Sequence, residues 1–544
     1  MASGTDRRLA GATALVAVLA FLAAAAGLDA RATYGARVSA DEPQYLITAI
    51  SIGEDFSLDI SDELAEERFL PFHEIGLNTQ TIDLNNEGRR VSPHDPLLPL
   101  LLAIPMRIGG WAGAKLALAV IGAAVAALTL RLAVNRLEAP LLPATVVVGG
   151  FAVAPPFSAY GIQVYPAMPA ALCVLIGALA ITSDRPAPAV PAGASPGGVR
   201  GLFQDVDAVT AVVLLAVVAL PWLSVKYVPV ASVLAIAGLW RSWAASPGAD
   251  RIQRLPRGTL LIYGLAGVSY LVLHRLWYNG WTVYAAGDHF VNGEFLVVGF
   301  RPDYVGRSRR LVGLLVDRQF GLIAWTPAFL ALAPSLVVLA RSRRPGRFVL
   351  LGMFAAGWAT ATWIALTMHG WWWPGRQVVP VLPIAVAATA AFVGTSRRLL
   401  AGVFTGCLLG AGTWLYLAWE ASTDRRTLIV DFAETNNPWF QLWREVLPDH
   451  QRMDPIDVVL TVIWTVLLLG LCYLAVRRDA AARSGAPVAG PGGEPGAGDL
   501  EDGAVGDGPG EAGLGGESQE GRANGDQSAG LDGPSETAAG STVG

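Results

Sequence analysis

The chain has 544 residues, of which 53% are hydrophobic and only 15% charged, against roughly 25% charged in an average soluble domain. Such dilution of charge excludes an ordinary cytosolic enzyme. The formal net charge of −5 averages two regions: Ala480–Gly544 carries eleven acids and two arginines, so the body of the chain is mildly basic and the tail acidic.

About 20 apolar residues cross a ~30 Å hydrocarbon core. Runs of that kind are predicted at Leu9–Leu28, Trp111–Val134, Leu141–Tyr160, Pro166–Thr182, Ala208–Leu223, Val225–Trp240, Leu260–Tyr278, Leu322–Ala340, Phe348–Met368, Val378–Gly394, Leu400–Trp419 and Val458–Val476, about 12 transmembrane helices. Pro221, Lys226 and Pro229 break the pair at Ala208–Trp240. Arginines cluster at every second gap, from Arg7 and Arg8 through Arg397 and Arg398 to Arg477 and Arg478. Short basic loops stay cytoplasmic, so both termini are expected inside; a cleaved signal peptide is the other reading of the first run.

The expected organisation is an all-α polytopic transmembrane domain over residues 1–478, with long outer loops at 29–96, 279–321 and 420–457 and a flexible cytoplasmic loop at 183–205. Residues 479–544, Gly-rich, acidic and without aromatics, read as a disordered cytoplasmic tail. All six histidines and most tryptophans fall on the outer side or at outer helix ends, more than an interfacial aromatic belt on both faces explains. Cys173, Cys407 and Cys472 lie in apolar runs and have neither disulfide nor zinc-ligand spacing.

The first outer loop opens with Asp41-Glu42-Pro43-Gln44-Tyr45, and the following apolar residues recur at helical spacing. Too short to span, this helix is expected to lie along the membrane surface. Asp41 and Glu42 at its start read equally as helix-capping acids or as functional carboxylates. The loop closes with His94-Asp95-Pro96, and Pro96, Pro99 and Pro105 predict an interfacial or re-entrant segment there rather than a span. His94 and Asp95 read as a turn cap or an acid–base or metal pair.

Lys226 and Lys115 are the only lysines. Lys226, at the outer break between two half-length spans, is a functional or a snorkelling cation. Arg376 follows His369 and the run Trp371-Trp372-Trp373-Pro374-Gly375; a guanidinium among tryptophan faces suits phosphate beside a sugar, or anchors a belt. In the loop at 279–321, Asp288, His289, Arg307, Arg309 and Arg310 precede Asp317-Arg318-Gln319-Phe320-Gly321 and Trp325-Thr326-Pro327. Those arginines either hold an anionic headgroup or pair with nearby acids, and nucleic acid is not expected on this face.

A first span followed by a long loop opening Asp-Glu-Pro-x-Tyr resembles the GT-C membrane glycosyltransferases, which include protein O-mannosyltransferases, the lipid A aminoarabinose transferase and actinobacterial arabinosyl and mannosyl transferases. The stretches Asp317–Pro327 and Gly370–Pro383 are similar to bacterial members, although Trp371-Trp372-Trp373 departs from the usual tryptophan–glycine spacing before the arginine. The resemblance implies a GT-C-like bundle in a bacterial plasma membrane. It implies sugar transfer from a polyprenyl-phosphate donor, at the outer face and with inversion, to a glycan, lipid or protein acceptor. By match, Asp41 is then the base, with Glu42 as substitute or orienter. Arg376 and Lys226, then Arg307, Arg309 or Arg310, hold the phosphate. His94, Asp95, His369, Trp371, Trp372, Trp373, Asp288 and His289 are the expected sugar or acceptor contacts. Whether a divalent metal ion assists stays open, as do two alternatives: a non-catalytic polysaccharide-assembly protein and a secondary transporter.

Overall fold

A computed structural model describes residues 4–84, 88–188, 201–245, 254–283, 303–365, 367–394 and 396–484. Each of the twelve predicted apolar runs falls on helix. Among the described residues, six helices are long and apolar enough to cross a membrane: within Gly4–Ala25 (α1), Leu97–Asn135, Arg257–Tyr278, Arg347–Ile364, Arg397–Ser422 and Pro455–Arg483. Five shorter apolar helices accompany them, at Leu141–Val153, Ala167–Ile181, Ala208–Leu223, Pro327–Arg341 and Leu382–Val393. Val228–Ala244 is the twelfth.

One apolar core joins these helices. Helix α1 packs on the long helix Leu97–Asn135 and on Leu141–Val153, while Leu382–Val393 lies against both of the latter. Buried residues cover nearly the whole surface of Leu382–Val393, as expected of a helix apolar all round. The run Leu322–Ala340 is broken at Thr326–Pro327, and the break is held from two sides. Thr326 Oγ1 donates to the Pro155 carbonyl at 2.6 Å. A Cβ at Gly406 or Gly410 would stand 2.5 Å from Ala328 N or Thr326 Oγ1, so these glycines make room for the break.

The loop at 29–96 is ordered around helix α2 (Glu42–Asp55), the short helix α3 (Ser61–Ala65) and a hairpin of strands β1 (Ile82–Leu84) and β2 (Arg89–Val91). Besides isolated bridges such as Ala36 with His73, the hairpin is the one sheet among the described residues. Helix α2 packs along the first part of helix α4 (Leu97–Asn135).

Pro96, Pro99 and Pro105 were expected to mark an interfacial or re-entrant segment rather than a span, and the first part of α4 is set apart from the rest, with Pro96 as its N-cap and Pro99 and Pro105 within it. Pro99 sits in the first turn, where its missing N–H costs nothing. The break comes instead at Gly110, whose φ of 58° and ψ of −154° lie in a region essentially reserved for glycine. The chain folds back so sharply there that a Cβ at Gly113 would lie 2.4 Å from the Pro105 carbonyl oxygen.

The loop predicted as flexible at 183–205 also ends in order. Asp205 is buried and accepts from the backbone N–H groups of Gly258 and Thr259 at 3.0 and 2.9 Å, satisfying donors at the start of Arg257–Tyr278. Of the predicted tail, residues 479–484 continue the helix Pro455–Ser484. Residues 189–200 and 485–544 lie outside the described residues.

The geometry at Gly110 is testable. Gly110→Ala is expected to cost about 1–3 kcal/mol, seen as a lower midpoint of thermal unfolding in detergent. Gly109→Ala meets no atom within 4 Å and should leave the midpoint unchanged or raise it.

Candidate functional site

Several element ends converge beside α2: the start of α4, the turn between Ala208–Leu223 and Val228–Ala244, and the end of Arg257–Tyr278. The segment leading into Leu382–Val393 joins them. Asp41 stands at the N-cap of α2 but makes no side-chain cap hydrogen bond. Its carboxylate Oδ2 instead accepts from Arg376 Nη2 at 2.5 Å. The Asp41 side chain therefore serves an ion pair and not the helix end. His94 Nε2 approaches the same oxygen at 3.8 Å.

The backbone on both sides is set for this contact. Ala40 has a φ of 49°, a left-handed conformation that costs a non-glycine residue roughly 1–2 kcal/mol. Gly375 has a φ of 87°, and a Cβ there would press Leu322 Cδ2 at 2.9 Å, so only glycine fits before Arg376. The guanidinium lies over the Tyr165 ring at 3.9 Å and the Trp372 ring at 4.8 Å, within the range of cation–π attraction. Its Nε is buried without a hydrogen-bond acceptor, so the cation keeps unused donor capacity beside an exposed edge of the site.

Burial raises the Asp41 carboxyl, but the Arg376 charge and His94 overturn it and hold the acid well below the usual carboxylate range. Glu42 diverges from its neighbour. Its Oε2 accepts from Val164 N at 2.9 Å and Oε1 faces Ser39 Oγ at 3.4 Å. Burial pushes this carboxyl up, while the Lys115 charge and the Val164 N–H pull it back. The Asp41 side chain is 18% exposed and the Glu42 residue 1%, so only Asp41 is open to an incoming molecule.

Lys226 lies in the turn Val225–Tyr227, outside both flanking helices. Its Nζ donates to Gln377 Oε1 at 3.3 Å, and it is near enough to Arg376 and Asp41 to feel both charges. Asp95 sets this turn: Oδ2 accepts from Val225 N at 3.2 Å, and Oδ1 meets Tyr270 Oη at 2.9 Å and His274 Nε2 at 3.0 Å. Asp95 is thus buried as a brace. His94 lies tilted against Tyr45, with ring centroids 4.4 Å apart, and its Nδ1 meets Ser92 Oγ at 2.7 Å.

The three tryptophans separate. Trp371 is exposed and its carbonyl accepts from Ser39 Oγ; Trp372 covers Arg376; Trp373 is buried against Trp325, Trp414 and Phe432. His369 belongs to a second cluster, with its Nε2 and His450 Nδ1 each 3.5 Å from Asp317 Oδ2. Asp317 also accepts from the backbone N–H groups of Gln319, Phe320 and His450. Burial raises this acid, and the two histidines hold it below the usual range.

Arg307 and Arg310 donate to the carbonyls of Trp363 and Ala365, both at 2.7 Å, and Arg309 approaches Met453 Sδ at 3.8 Å. Arg307 and Arg310 thereby satisfy the end of the helix through Ile364. Asp288 and His289 lie outside the described residues. Tyr165, Gln377 and Lys115 were not singled out as site residues by sequence. Lys115 Nζ donates to the Arg37 carbonyl at 2.7 Å.

Among the described residues, no group of three close His, Cys, Asp or Glu ligands includes Asp41 or Glu42, and Arg376 and Lys226 place positive charge beside them.

No family model matches the chain, and no curated protein matches it. Among solved structures, the chain is similar to the crystal structure of ArnT from Cupriavidus metallidurans bound to undecaprenyl phosphate. That likeness covers 87% of this chain and 78% of that chain, with 14% identity and a TM-score of 0.41.

The Asp41–Arg376 pair has a defined pH signature. A carboxyl depressed in the folded state stabilises fully above its unfolded pKa of about 3.9, and that stability is lost as pH falls further. Asp41→Asn leaves a buried guanidinium unpaired, at a cost of about 3 kcal/mol. Thermal unfolding should show the wild-type advantage constant between about pH 5 and 8 and shrinking below about pH 4.

Proposed function

We propose that this protein is a membrane glycosyltransferase moving a sugar from a polyprenyl-phosphate donor to a hydroxyl acceptor on a cell-envelope glycan, lipid or protein. The reaction takes place at the outer face of a bacterial plasma membrane. The observation that carries the reading is the contact of Asp41 with Arg376, which joins two stretches of sequence 335 positions apart and leaves a buried, under-satisfied guanidinium beside a partly exposed carboxylate.

In this reading the donor phosphate takes Arg376 away from Asp41 and draws in Lys226. Bidentate guanidinium–phosphate contacts are strong and oriented, and Trp372 and exposed Trp371 offer faces to a sugar ring. Loss of Arg376 raises the basicity of Asp41 when the donor is in place. The acceptor oxygen attacks the anomeric carbon opposite the phosphate, with inversion, and its proton passes to Asp41. The bond from carbon to phosphate oxygen breaks with its electron pair on the polyprenyl phosphate. Charge growing on that oxygen is stabilised by the two cations more in the transition state than in the ground state. Glu42 and Asp95 act as positioning residues, one holding the Val164 backbone and the other the Lys226 turn.

The test is transfer of labelled sugar from polyprenyl-phosphate donors in proteoliposomes carrying the full chain. Wild type should transfer; Asp41→Asn should lower kcat by about 100-fold or more, and Arg376→Gln should raise the KM for donor. Unchanged transfer by Asp41→Asn, or ion-coupled substrate uptake without transfer, would overturn the reading.

A further inference from the structure

The far end of α2 holds a second group of acids. Carboxylate oxygens of Asp55, Asp62 and Glu63 all lie within 4.8 Å of one another. Asp55 closes α2, and Asp62 and Glu63 lie in α3. The intervening loop is shaped by Ser51 Oγ, which donates to the carbonyls of Ser57 and Asp59 at 3.2 and 2.7 Å.

No arginine, lysine or histidine forms an ion pair with these three acids among the described residues. The neighbouring cations are engaged elsewhere. Arg68 Nη2 contacts both carboxylate oxygens of Glu54, at 2.8 and 3.0 Å, and Nη1 approaches Glu66 at 3.7 Å. Arg107 Nη1 donates to the Gly53 carbonyl at 2.8 Å.

Surface acids often crowd together without consequence, but Glu63 is not a surface acid. It is 3% exposed, and its Oε2 is buried without a hydrogen-bond partner. The rest of the Glu63 carboxyl meets the Asp62 and Ser51 side chains, but a buried oxygen left with no donor of its own is costly unless a cation compensates. Asp55 adds negative charge at the C-terminal end of α2, where the helix dipole also favours a cation.

We infer that Asp55, Asp62 and Glu63 form a binding site for a hard divalent cation of calcium size. Two oxygens facing each other across a calcium ion, each ~2.4 Å from it, stand ~4.8 Å apart, so the three groups span what one ion can bridge. The ligands are all oxygen, and the exposed sides of Asp55 and Asp62 leave room for the waters that complete six to eight ligands. Fourteen residues of α2 separate this site from Asp41, ~20 Å at 1.5 Å per residue. The ion takes no part in reaction chemistry. It braces α3 against the end of the helix whose other end carries Asp41. The inference is independent of the glycosyltransferase reading.

The test uses the full chain in detergent, stripped with EDTA and probed with CaCl2. Equilibrium dialysis with 45Ca should find one more bound ion per chain in wild type than in Asp55→Asn/Asp62→Asn, whose altered side chains are exposed and whose folding should be preserved. The expected dissociation constant is on the order of 10⁻⁴–10⁻³ M. Glu63→Gln supplies a second signature. Relieved of a buried charge, it should unfold at or above the wild-type midpoint in EDTA, yet gain nothing from millimolar calcium while wild type rises by several degrees. Equal calcium stoichiometry in wild type and the double variant, or equal calcium-dependent shifts in wild type and Glu63→Gln, would overturn the site.

Discussion

The arrangement at the functional end of this molecule depends on one buried ion pair, that of Asp41 with Arg376. Neither partner is held by its own element alone. Asp41 is presented by a left-handed Ala40 and a helix that forgoes a side-chain cap, and Arg376 by a glycine turn wedged against Leu322. Removing either partner strands a charge in a site walled by Tyr165 and Trp372, and breaking such a pair costs more than the pair contributes over an apolar substitute. The supporting residues follow the same pattern. Glu42 holds the backbone at Val164, Asp95 holds the turn bearing Lys226, and each anchors a carbonyl- or amide-bearing segment that packing would not place.

Positive and negative groups are divided by access. Glu42 and Asp95 are buried and fully engaged, whereas Asp41 is partly exposed and Arg376 retains a donor without an acceptor. An anion arriving at this edge competes with Asp41 for the guanidinium, and its charge replaces the one it displaces. Binding of a phosphate and release of the carboxylate are then two sides of one exchange. In the proposed reaction, a carboxyl held so far below its usual range takes up a proton only once the donor has drawn Arg376 away.

Much of the fold was legible because hydrophobic run length is a strong signal: each predicted run corresponds to helix. The segment from Leu97 was read as set apart from the span that follows it, but the break falls at Gly110, which nothing in the sequence marked, and not at a proline. At the site, Asp41, Arg376, Lys226 and His94 were singled out as ionisable or unusual residues near helix ends, and the fold brings them together. Sequence offered no means to tell that Trp373 is core and Trp372 is site, since adjacent tryptophans share composition and differ only in direction. Tyr165 escaped notice because a tyrosine beside a proline at a helix end reads as an interfacial aromatic. Arg307 and Arg310 each give one N–H to the carbonyls of Trp363 and Ala365, an engagement no sequence pattern announces.

The central claim, that Arg376 is the anion-binding group and that Asp41 occupies it in the empty site, is tested most directly by ³¹P NMR titration of polyprenyl phosphate into detergent-solubilised wild type, Asp41→Asn and Arg376→Gln. Asp41→Asn should bind the lipid phosphate more tightly than wild type, because its guanidinium is no longer neutralised, and Arg376→Gln should lose the interaction. Equal affinity in all three, or weaker binding by Asp41→Asn than by wild type, would contradict that claim.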